Sequence, residues 1–268
     1  MTNPPNDPDK QSRTPPATCW LHFALAVTFL TRIPLPVSRA VRPEDMRASM
    51  GWYPCVGIGL GAVGWALFRE GQFVFAPLLS AALVIVLLEM LSGALHLDGF
   101  MDTCDGLGSG AQRERALEIM KDPRMGAMGV FGGVAIILIK VAALSALTPS
   151  QALLPLLIGW MAARVIPVLD VSFFPYARPA GTGAAFTQGG SRTMLVLALI
   201  TVLAFGWAIK PAIALPFMAG IMGVTLLVQW GASRKLGGLT GDVYGLGIEM
   251  TETMALILGC ILARWSFI

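Results

Sequence analysis

Long segments without a charged residue recur along most of this 268-residue chain and constrain its fold more than any other feature. Several reach the roughly 20 residues that an α-helix needs to cross a bilayer. The segments are residues 48–68, 73–88 (continuing past Glu89), 125–139, 141–163, 193–209, 211–233 and 253–263. They predict an all-α, polytopic transmembrane helical bundle of about seven membrane helices.

Composition excludes two other classes of protein. Apolar residues make up 55% of the chain and charged residues only 13%, with a mean hydropathy of +0.70, which is too apolar for a soluble domain. The net charge of +3 is explained by membrane topology and gives no reason to expect nucleic acid as a partner. Cys19, Cys55, Cys104 and Cys260 are dispersed without CxxC spacing, which argues against disulfides or a zinc site.

The N-terminal region differs from the rest of the chain. Residues 1–18 are rich in Pro, Asn, Asp, Ser and Thr, so we expect a disordered Pro-rich tail. Residues 20–30 are apolar but end near Arg32 and Pro34, which predicts a short re-entrant or interfacial helix and not a cleavable signal peptide. Residues 19–268 are expected to form a single integral-membrane catalytic domain.

The distribution of Lys and Arg predicts the orientation. If the segments alternate sides, one set of loops carries twelve of these residues and the opposite set three, Arg69, Lys210 and Arg264. The positive-inside rule places the richer set in the cytoplasm, for a multi-pass protein of the cell inner membrane. Loops 98–128, 173–192 and 231–252 all fall on this side and are expected to build one site.

Three carboxylates follow the second apolar segment at spacings that place them on one helix face. Asp98, Asp102 and Asp105 stand at i, i+4 and i+7 and repel one another unless a cation lies between them. Carboxylate oxygens, waters and phosphates are the ligands that Mg²⁺ prefers, whereas zinc prefers Cys and His. The pattern therefore predicts a Mg²⁺ site.

Glu89 and His96 precede this helix and are seven residues apart, hence on one face. An ionisable residue within a membrane span is usually functional, so Glu89 is predicted to be a metal ligand or to hold His96. His96 is a candidate general base, a donor to phosphate or a residue that ends the helix.

Basic side chains in two loops are candidate phosphate ligands. Lys121 and Arg124 follow a glycine-rich turn, although they also serve as topology charges. Arg178 begins a stretch of small residues whose backbone N–H groups can face an anion.

A second acidic set lies near the C-terminus, where Asp242 and Glu249 are seven apart and Glu252 follows. This set either meets the first acidic face, to hold a second metal or orient a substrate hydroxyl, or caps the last helix. Arg164 interrupts an apolar span and is expected to pair with a carboxylate inside the bundle.

Four motifs, LHLDGxxDTxDG, RALEIMKDPRMGxxG, GTGAAF and GGLTGDVYGxxxExTE, together resemble the cobalamin synthase family. The resemblance implies transfer of the adenosylcobinamide phosphate group from adenosylcobinamide-GDP to α-ribazole or its 5′-phosphate, with release of GMP and a need for Mg²⁺. It allows association with other enzymes of nucleotide-loop assembly or with a second copy. The residues that match the family are His96, Asp98, Asp102, Asp105, Lys121, Asp122, Arg124, Asp242 and Glu249.

The resemblance suggests roles for these residues. Asp98, Asp102 and Asp105 would hold Mg²⁺ against the diphosphate, and His96 or Asp242 would accept the proton of the ribazole hydroxyl. The residues predicted to bind substrate are Lys121, Asp122, Arg124, Arg178 and Glu249.

Two alternatives belong to other classes. A CDP-alcohol phosphotransferase would carry DGxxAR, whereas Leu107 to Gly110 follow Asp105-Gly106 here. An ion or solute transporter would place its carboxylates near the bilayer midplane.

Overall fold

A computed structural model describes residues 15–37, 39–178, 186, 192–209 and 211–268 of the chain. The predicted tail lies outside the described residues as far as position 14, and residues 15–18 already belong to the first helix. The α-helices are α1 Pro15–Leu30, α2 Pro43–Ser49, α3 Tyr53–Gly71, α4 Pro77–Ser92, α5 Leu95–Gly108, α6 Arg113–Ile119, α7 Ala127–Ser145, α8 Pro149–Leu154, α9 Trp160–Phe173, α10 Arg192–Ile209, α11 Pro211–Leu236 and α12 Gly241–Arg264. A 3₁₀ turn, Met50–Trp52, joins α2 to α3, and a π-helical turn, Pro155–Gly159, joins α8 to α9.

The predicted all-α membrane fold is confirmed. Within the described residues, five segments are long and apolar enough to span a membrane: Pro43–Gly71, Ala127–Ser145, Pro149–Phe173, Ala212–Leu236 and Gly241–Arg264. A sixth is reached if α4 and α5, which meet at 91°, count as one bent span. The apolar parts of α1 and α10, Thr18–Leu30 and Thr193–Ile209, are shorter. The chain is thus a multi-pass membrane protein, and the expected number of about seven crossings stays a prediction.

Two boundaries differ from those that the charge pattern predicts. Lys140 separates two charge-free segments in the sequence, yet it lies inside α7 with its side chain fully buried. The chain breaks later, where Thr148 caps α8 by accepting a hydrogen bond from the Gln151 N–H. Residues 241–252 are likewise not a loop, because α12 begins at Gly241. A charge is a poor marker of a helix end when the bundle itself supplies a partner for it.

Helix α12 lies at the centre of the bundle and packs against α5, α7, α9 and α11. Every residue from Trp160 to Asp170 of α9 is buried, so this helix also contributes to the interior on all sides. Many apolar side chains of α4, α7 and α10, in contrast, are exposed, as expected for surfaces that face lipid. The polar side chains on α5 and α12 are therefore positioned by the best-packed part of the fold.

Candidate active site

A sharp break before α5 sets the direction of the acidic helix. Gly93 and Ala94 both have left-handed backbone conformations, with φ of 65° and 53°. The Ala94 N–H donates to the Glu89 carbonyl at 2.8 Å, which ends α4, and α5 starts at Leu95. The segment after α1 covers this break, where the Arg32 N–H donates to the Leu91 carbonyl at 2.7 Å.

Two glycines let α5 and α12 cross with their backbones in contact. A Cβ at Gly99 would lie 2.9 Å from both the Cα and the carbonyl oxygen of Asp242. A Cβ at Gly245 would lie 2.7 Å from the carbonyl oxygen of His96. Only glycine fits such a crossing. It brings Asp242 to the acidic face of α5.

The crossing gathers three carboxylates, which we call the acidic cluster: Asp98, Asp102 and Asp242. The negative charges of Asp98 and Asp242, and after them that of Asp105, act on the half-buried Asp102. Arg178 is the basic residue that pairs with the cluster among the described side chains, its Nη2 lying 2.8 Å from Oδ2 of Asp242. Among the described side chains, the cluster carries more negative charge than this guanidinium balances.

A short parallel bridge holds Arg178 in position. The Ala177 N–H donates to the Leu239 carbonyl and the Leu239 N–H donates to the Pro175 carbonyl, both at 2.8 Å. The bridge ties the segment after α9 to the residues that lead into α12. Most of the GTGAAF motif that follows Arg178 lies outside the described residues, with Phe186 as the exception.

Asp105 has partners other than the cluster. Its Oδ2 accepts the Gly126 N–H and its Oδ1 accepts the Gly129 N–H, both at 2.7 Å. A carboxylate in this position satisfies free N–H groups at the start of α7 and interacts well with the helix dipole. Asp105 therefore joins α5 to α7, and its predicted role as a metal ligand stays a prediction.

The basic turn between α6 and α7 is exposed to solvent. Asp122 accepts hydrogen bonds from Nε and Nη2 of Arg124, at 2.9 and 2.7 Å. The Arg124 guanidinium lowers the pKa of Asp122 to about 2. Lys121 is exposed beside this pair. The structure places these residues away from the bundle interior, and substrate binding by them stays a prediction.

A second group of charged residues, which we call the buried network, consists of Glu89, Glu249, Glu252, Lys140 and Arg164. Lys140 Nζ donates to Glu89 at 3.0 Å and to Glu249 and Glu252 at 2.6 Å each. Arg164 forms an ion pair with Glu252, which confirms its predicted carboxylate partner. Within the described part of the chain, these three glutamates are the one group of three potential metal ligands whose atoms lie within 4.8 Å of one another.

This network corrects several expectations. Glu89 bonds to Lys140 instead of holding His96, whose Nε2 has no hydrogen-bond partner in the described structure. Glu249 and Glu252 lie inside α12, so they neither cap it nor face the first acidic set. The lysine ammonium lies among the three carboxylates, so the roles predicted for Glu89 in metal binding and Glu249 in substrate binding stay predictions.

Lys140 is the member of the buried network that the sequence pattern did not predict. Its signal was present as a single lysine inside an apolar stretch of α7. A buried lysine is expensive without an acidic partner, and the intramembrane glutamates were equally in need of one.

Comparison with known proteins identifies the family of the chain. The Cobalamin-5-phosphate synthase family profile matches residues 22–260. Proteins named adenosylcobinamide-GDP ribazoletransferase are similar over most of their length. Those of Brevibacillus brevis and Desulfitobacterium hafniense are 37% and 39% identical, over 88% and 87% of this chain and 96% and 94% of theirs. The Pseudomonas aeruginosa protein is 38% identical over 87% of this chain and 95% of its own.

No solved structure matches the chain. The family match covers the acidic helix α5, the basic turn and nearly all of α12, and confirms the resemblance drawn from the four motifs. The chain belongs to the cobalamin-5-phosphate synthase family.

Proposed function

We propose that this protein is a transferase that moves the adenosylcobinamide phosphate group from adenosylcobinamide-GDP to α-ribazole, or to its 5′-phosphate, and releases GMP. The relatives that carry this activity in their names align with nearly the whole chain. The structural observation that carries the proposal is the meeting of Asp98, Asp102 and Asp242 where α5 crosses α12. Carboxylates by themselves repel a diphosphate, so they would serve this transfer by holding a divalent cation against it.

The acidic cluster fits Mg²⁺ by its chemistry. It offers carboxylate oxygens, and its excess negative charge faces a single guanidinium, that of Arg178. Mg²⁺ is usually held by one or two carboxylates together with waters and substrate phosphates, so an open arrangement suits it better than a closed cage. Asp98, Asp102 and Asp242 would hold the ion, which when bound neutralises charge on the diphosphate and the leaving GMP.

The reaction is a displacement at the phosphorus that carries the cobinamide. A ribose hydroxyl oxygen that is free in both acceptors, and is therefore not the 5′ oxygen, forms a bond to this phosphorus, and the bond from the phosphorus to the bridging oxygen breaks. GMP leaves with that oxygen. His96 and Asp242 are the candidates to accept the hydroxyl proton, since both line the cavity beside the cluster. Arg178 is placed to bind a phosphate oxygen next to Asp242.

The site is proposed to face the cytoplasm from the inner membrane. Hydrogen bonds join the C-terminal end of α11 to α6 and to the C-terminal end of α5: the Arg113 Nε of α6 donates to the Leu236 carbonyl at 2.7 Å, and Lys235 Nζ donates to the Leu107 carbonyl at 2.9 Å. This end of the bundle carries the loops rich in Lys and Arg, which the positive-inside rule assigns to the cytoplasm. Association with a second copy or with other enzymes stays a prediction.

The experiment uses the full chain in proteoliposomes supplied with adenosylcobinamide-GDP and α-ribazole, with and without Mg²⁺. We expect Mg²⁺-dependent release of GMP and formation of adenosylcobalamin. Asp98→Asn is expected to lower kcat by at least about 10²–10³-fold, as for removal of one electrostatic stabiliser of a transition state. Glu70→Gln, which changes an exposed carboxylate, is the control.

Two results would contradict the proposal. Turnover of a CDP-alcohol without activity on adenosylcobinamide-GDP would favour the other phosphotransferase class. Undiminished activity of Asp98→Asn would remove Asp98 from the metal site.

A further inference from the structure

A cavity of about 120 Å³ enters the bundle directly beside the acidic cluster. Asp98 and Asp242 lie on its wall, which connects it to the proposed site of phosphate transfer. Most of the remaining wall is apolar, with Val171 of α9 and Ile248 of α12 among its residues. The cavity thus joins a charged side to an apolar interior, as ligand sites usually do.

Aromatic rings make up one side of the cavity. The rings of Phe29 and Tyr53 are nearly parallel, with an interplanar angle of 12° and centroids 6.1 Å apart. The Phe186 ring lies 5.3 Å from that of Phe29, and all three residues line the cavity. Aromatic surfaces of this kind bind a flat, bicyclic ring system by stacking.

Three buried polar groups on the wall have no hydrogen-bond partner in the described structure. They are Nε2 of His96 and the hydroxyls of Tyr53 and Tyr244, and the three residues are only 5%, 1% and 8% exposed. Buried polar groups are nearly always paired, so such atoms indicate that a ligand or water completes the site. The tyrosine hydroxyls are able to donate a hydrogen bond, and Nε2 of His96 donates or accepts one according to its tautomer.

The size and polarity of the cavity distinguish among the parts of the two substrates. A corrin ring with its amide side chains is far larger than this space. Guanine carries hydrogen-bonding groups on several edges, for which the apolar wall offers few partners. The benzimidazole of α-ribazole is a flat, largely apolar bicycle with one free ring nitrogen, which needs one hydrogen-bond donor.

We propose that this cavity binds the aromatic base of the acceptor nucleoside, with a ribose hydroxyl directed to Asp98 and Asp242. The inference rests on the proposed function and adds the subsite that selects the acceptor. Tyr53 and Phe29 stack on the base, and Val171 and Ile248 limit its size. The adenosylcobinamide-GDP remains outside the cavity and reaches the cluster with its diphosphate.

The first test reduces the space with Val171→Phe in the full-length protein in proteoliposomes. We expect KM for α-ribazole to rise about tenfold, the scale on which one misfitting group in an apolar pocket acts, while KM for adenosylcobinamide-GDP stays unchanged. Val134→Phe, the same change at a 55% exposed position of α7, is the control and should alter neither value. An unchanged KM for α-ribazole in Val171→Phe, or an equal rise for both substrates, overturns the assignment.

The second test enlarges the space, so that misfolding cannot imitate the result. Ile248→Ala is expected to raise kcat/KM for a riboside with a larger, naphthalene-fused imidazole base about tenfold relative to that for α-ribazole. Unaltered selectivity would contradict the inference. Failure of the wild-type protein to release GMP would instead refute the proposed function, so the two failures can be distinguished.

Discussion

The acidic cluster and the buried network contrast in how their charge is balanced, although both depend on carboxylates of α12. In the network, three glutamates meet the two cations Lys140 and Arg164, and Lys140 alone contacts all three. In the cluster, three aspartates meet one guanidinium. Carboxylate side chains thus have different surroundings in the two groups. The buried carboxylates are paired with cations of the chain itself, whereas the cluster keeps an excess of negative charge, which we propose is balanced by Mg²⁺.

The contrast has a physical basis in desolvation. Lys140, Glu249 and Glu252 have almost no exposed surface, and an uncompensated charge at such a depth would be very costly. The cluster contains the exposed Asp98, where water and ions screen repulsion. Desolvation thus explains why the buried carboxylates are paired within the chain, while the more exposed cluster tolerates an excess of negative charge.

The largest expected effect comes from breaking the network. Lys140→Met leaves three buried carboxylates with one remaining cation, and we expect the free energy of unfolding to fall by about 3–5 kcal/mol. Chemical denaturation in detergent measures the change. Lys121→Met, at an exposed position, is the matched control and should change stability little. Equal stability of Lys140→Met and wild type would show that the network is not needed for folding.

Mg²⁺ bound at the acidic cluster should raise the free energy of unfolding of the protein. If Asp102 helps to hold Mg²⁺, a concentration of one hundred times Kd should stabilise the wild-type protein by about 2.7 kcal/mol, and chelation should remove that gain. Asp102→Asn should lose most of the gain. Its unfolding free energy without Mg²⁺ should equal or slightly exceed that of wild type, because one repulsive charge is gone.

Thermal unfolding with Mg²⁺ or with EDTA tests this prediction. Glu70→Gln should keep the full response to Mg²⁺, since Glu70 is exposed and distant in sequence from the cluster. Equal stabilisation of wild type and Asp102→Asn would place the ion elsewhere.

The crossing that builds the cluster can be tested by adding one methyl group. Gly99→Ala would bring a Cβ to 2.9 Å from the backbone of Asp242 and force α5 away from α12. We expect a loss of about 1–3 kcal/mol in unfolding free energy and a strong loss of transfer activity. Gly59→Ala is the control, because a Cβ at Gly59 would meet no atom within 4 Å. Equal effects of the two changes would show that the crossing is not tight.

Much of this arrangement follows from local sequence. Apolar segments predict the helices, and the i, i+4 and i+7 spacing predicts that Asp98 and Asp102 share a face. Gly99 and Gly245 are visible as glycines, but only the assembled bundle shows that they let α5 meet α12. What a sequence shows well is the chemistry available on each element.

Pairing across the chain could not be predicted in the same way. Lys140 bonds to residues 51, 109 and 112 positions away, and no local pattern specifies which distant carboxylates meet it. The spacing of Asp105 places it on the same face of α5 as Asp98 and Asp102. Its partners are nevertheless backbone N–H groups at the start of α7. The three aspartates have the same side chain and lie on one helix face, so tertiary packing determines which partners each of them has.

The smallest expected effect concerns the joint between the network and the cluster. Ala94 lies between α4, which carries Glu89, and α5, which carries Asp98, and its φ of 53° is costly for a residue with a Cβ. Ala94→Gly removes this strain but increases the freedom of the unfolded chain, so we expect a net gain of about 0.5 kcal/mol in unfolding free energy.

The matched control for the joint is Ala204→Gly, at an exposed position inside α10, which should lose up to about 1 kcal/mol. Denaturation gives both signs, and kcat and the response to Mg²⁺ should not change in Ala94→Gly. A loss of stability in that variant would mean that the left-handed turn at residue 94 is not strained. A gain in stability with a weaker response to Mg²⁺ would mean that the strained turn itself positions the cluster, so that the two groups of carboxylates are not independent.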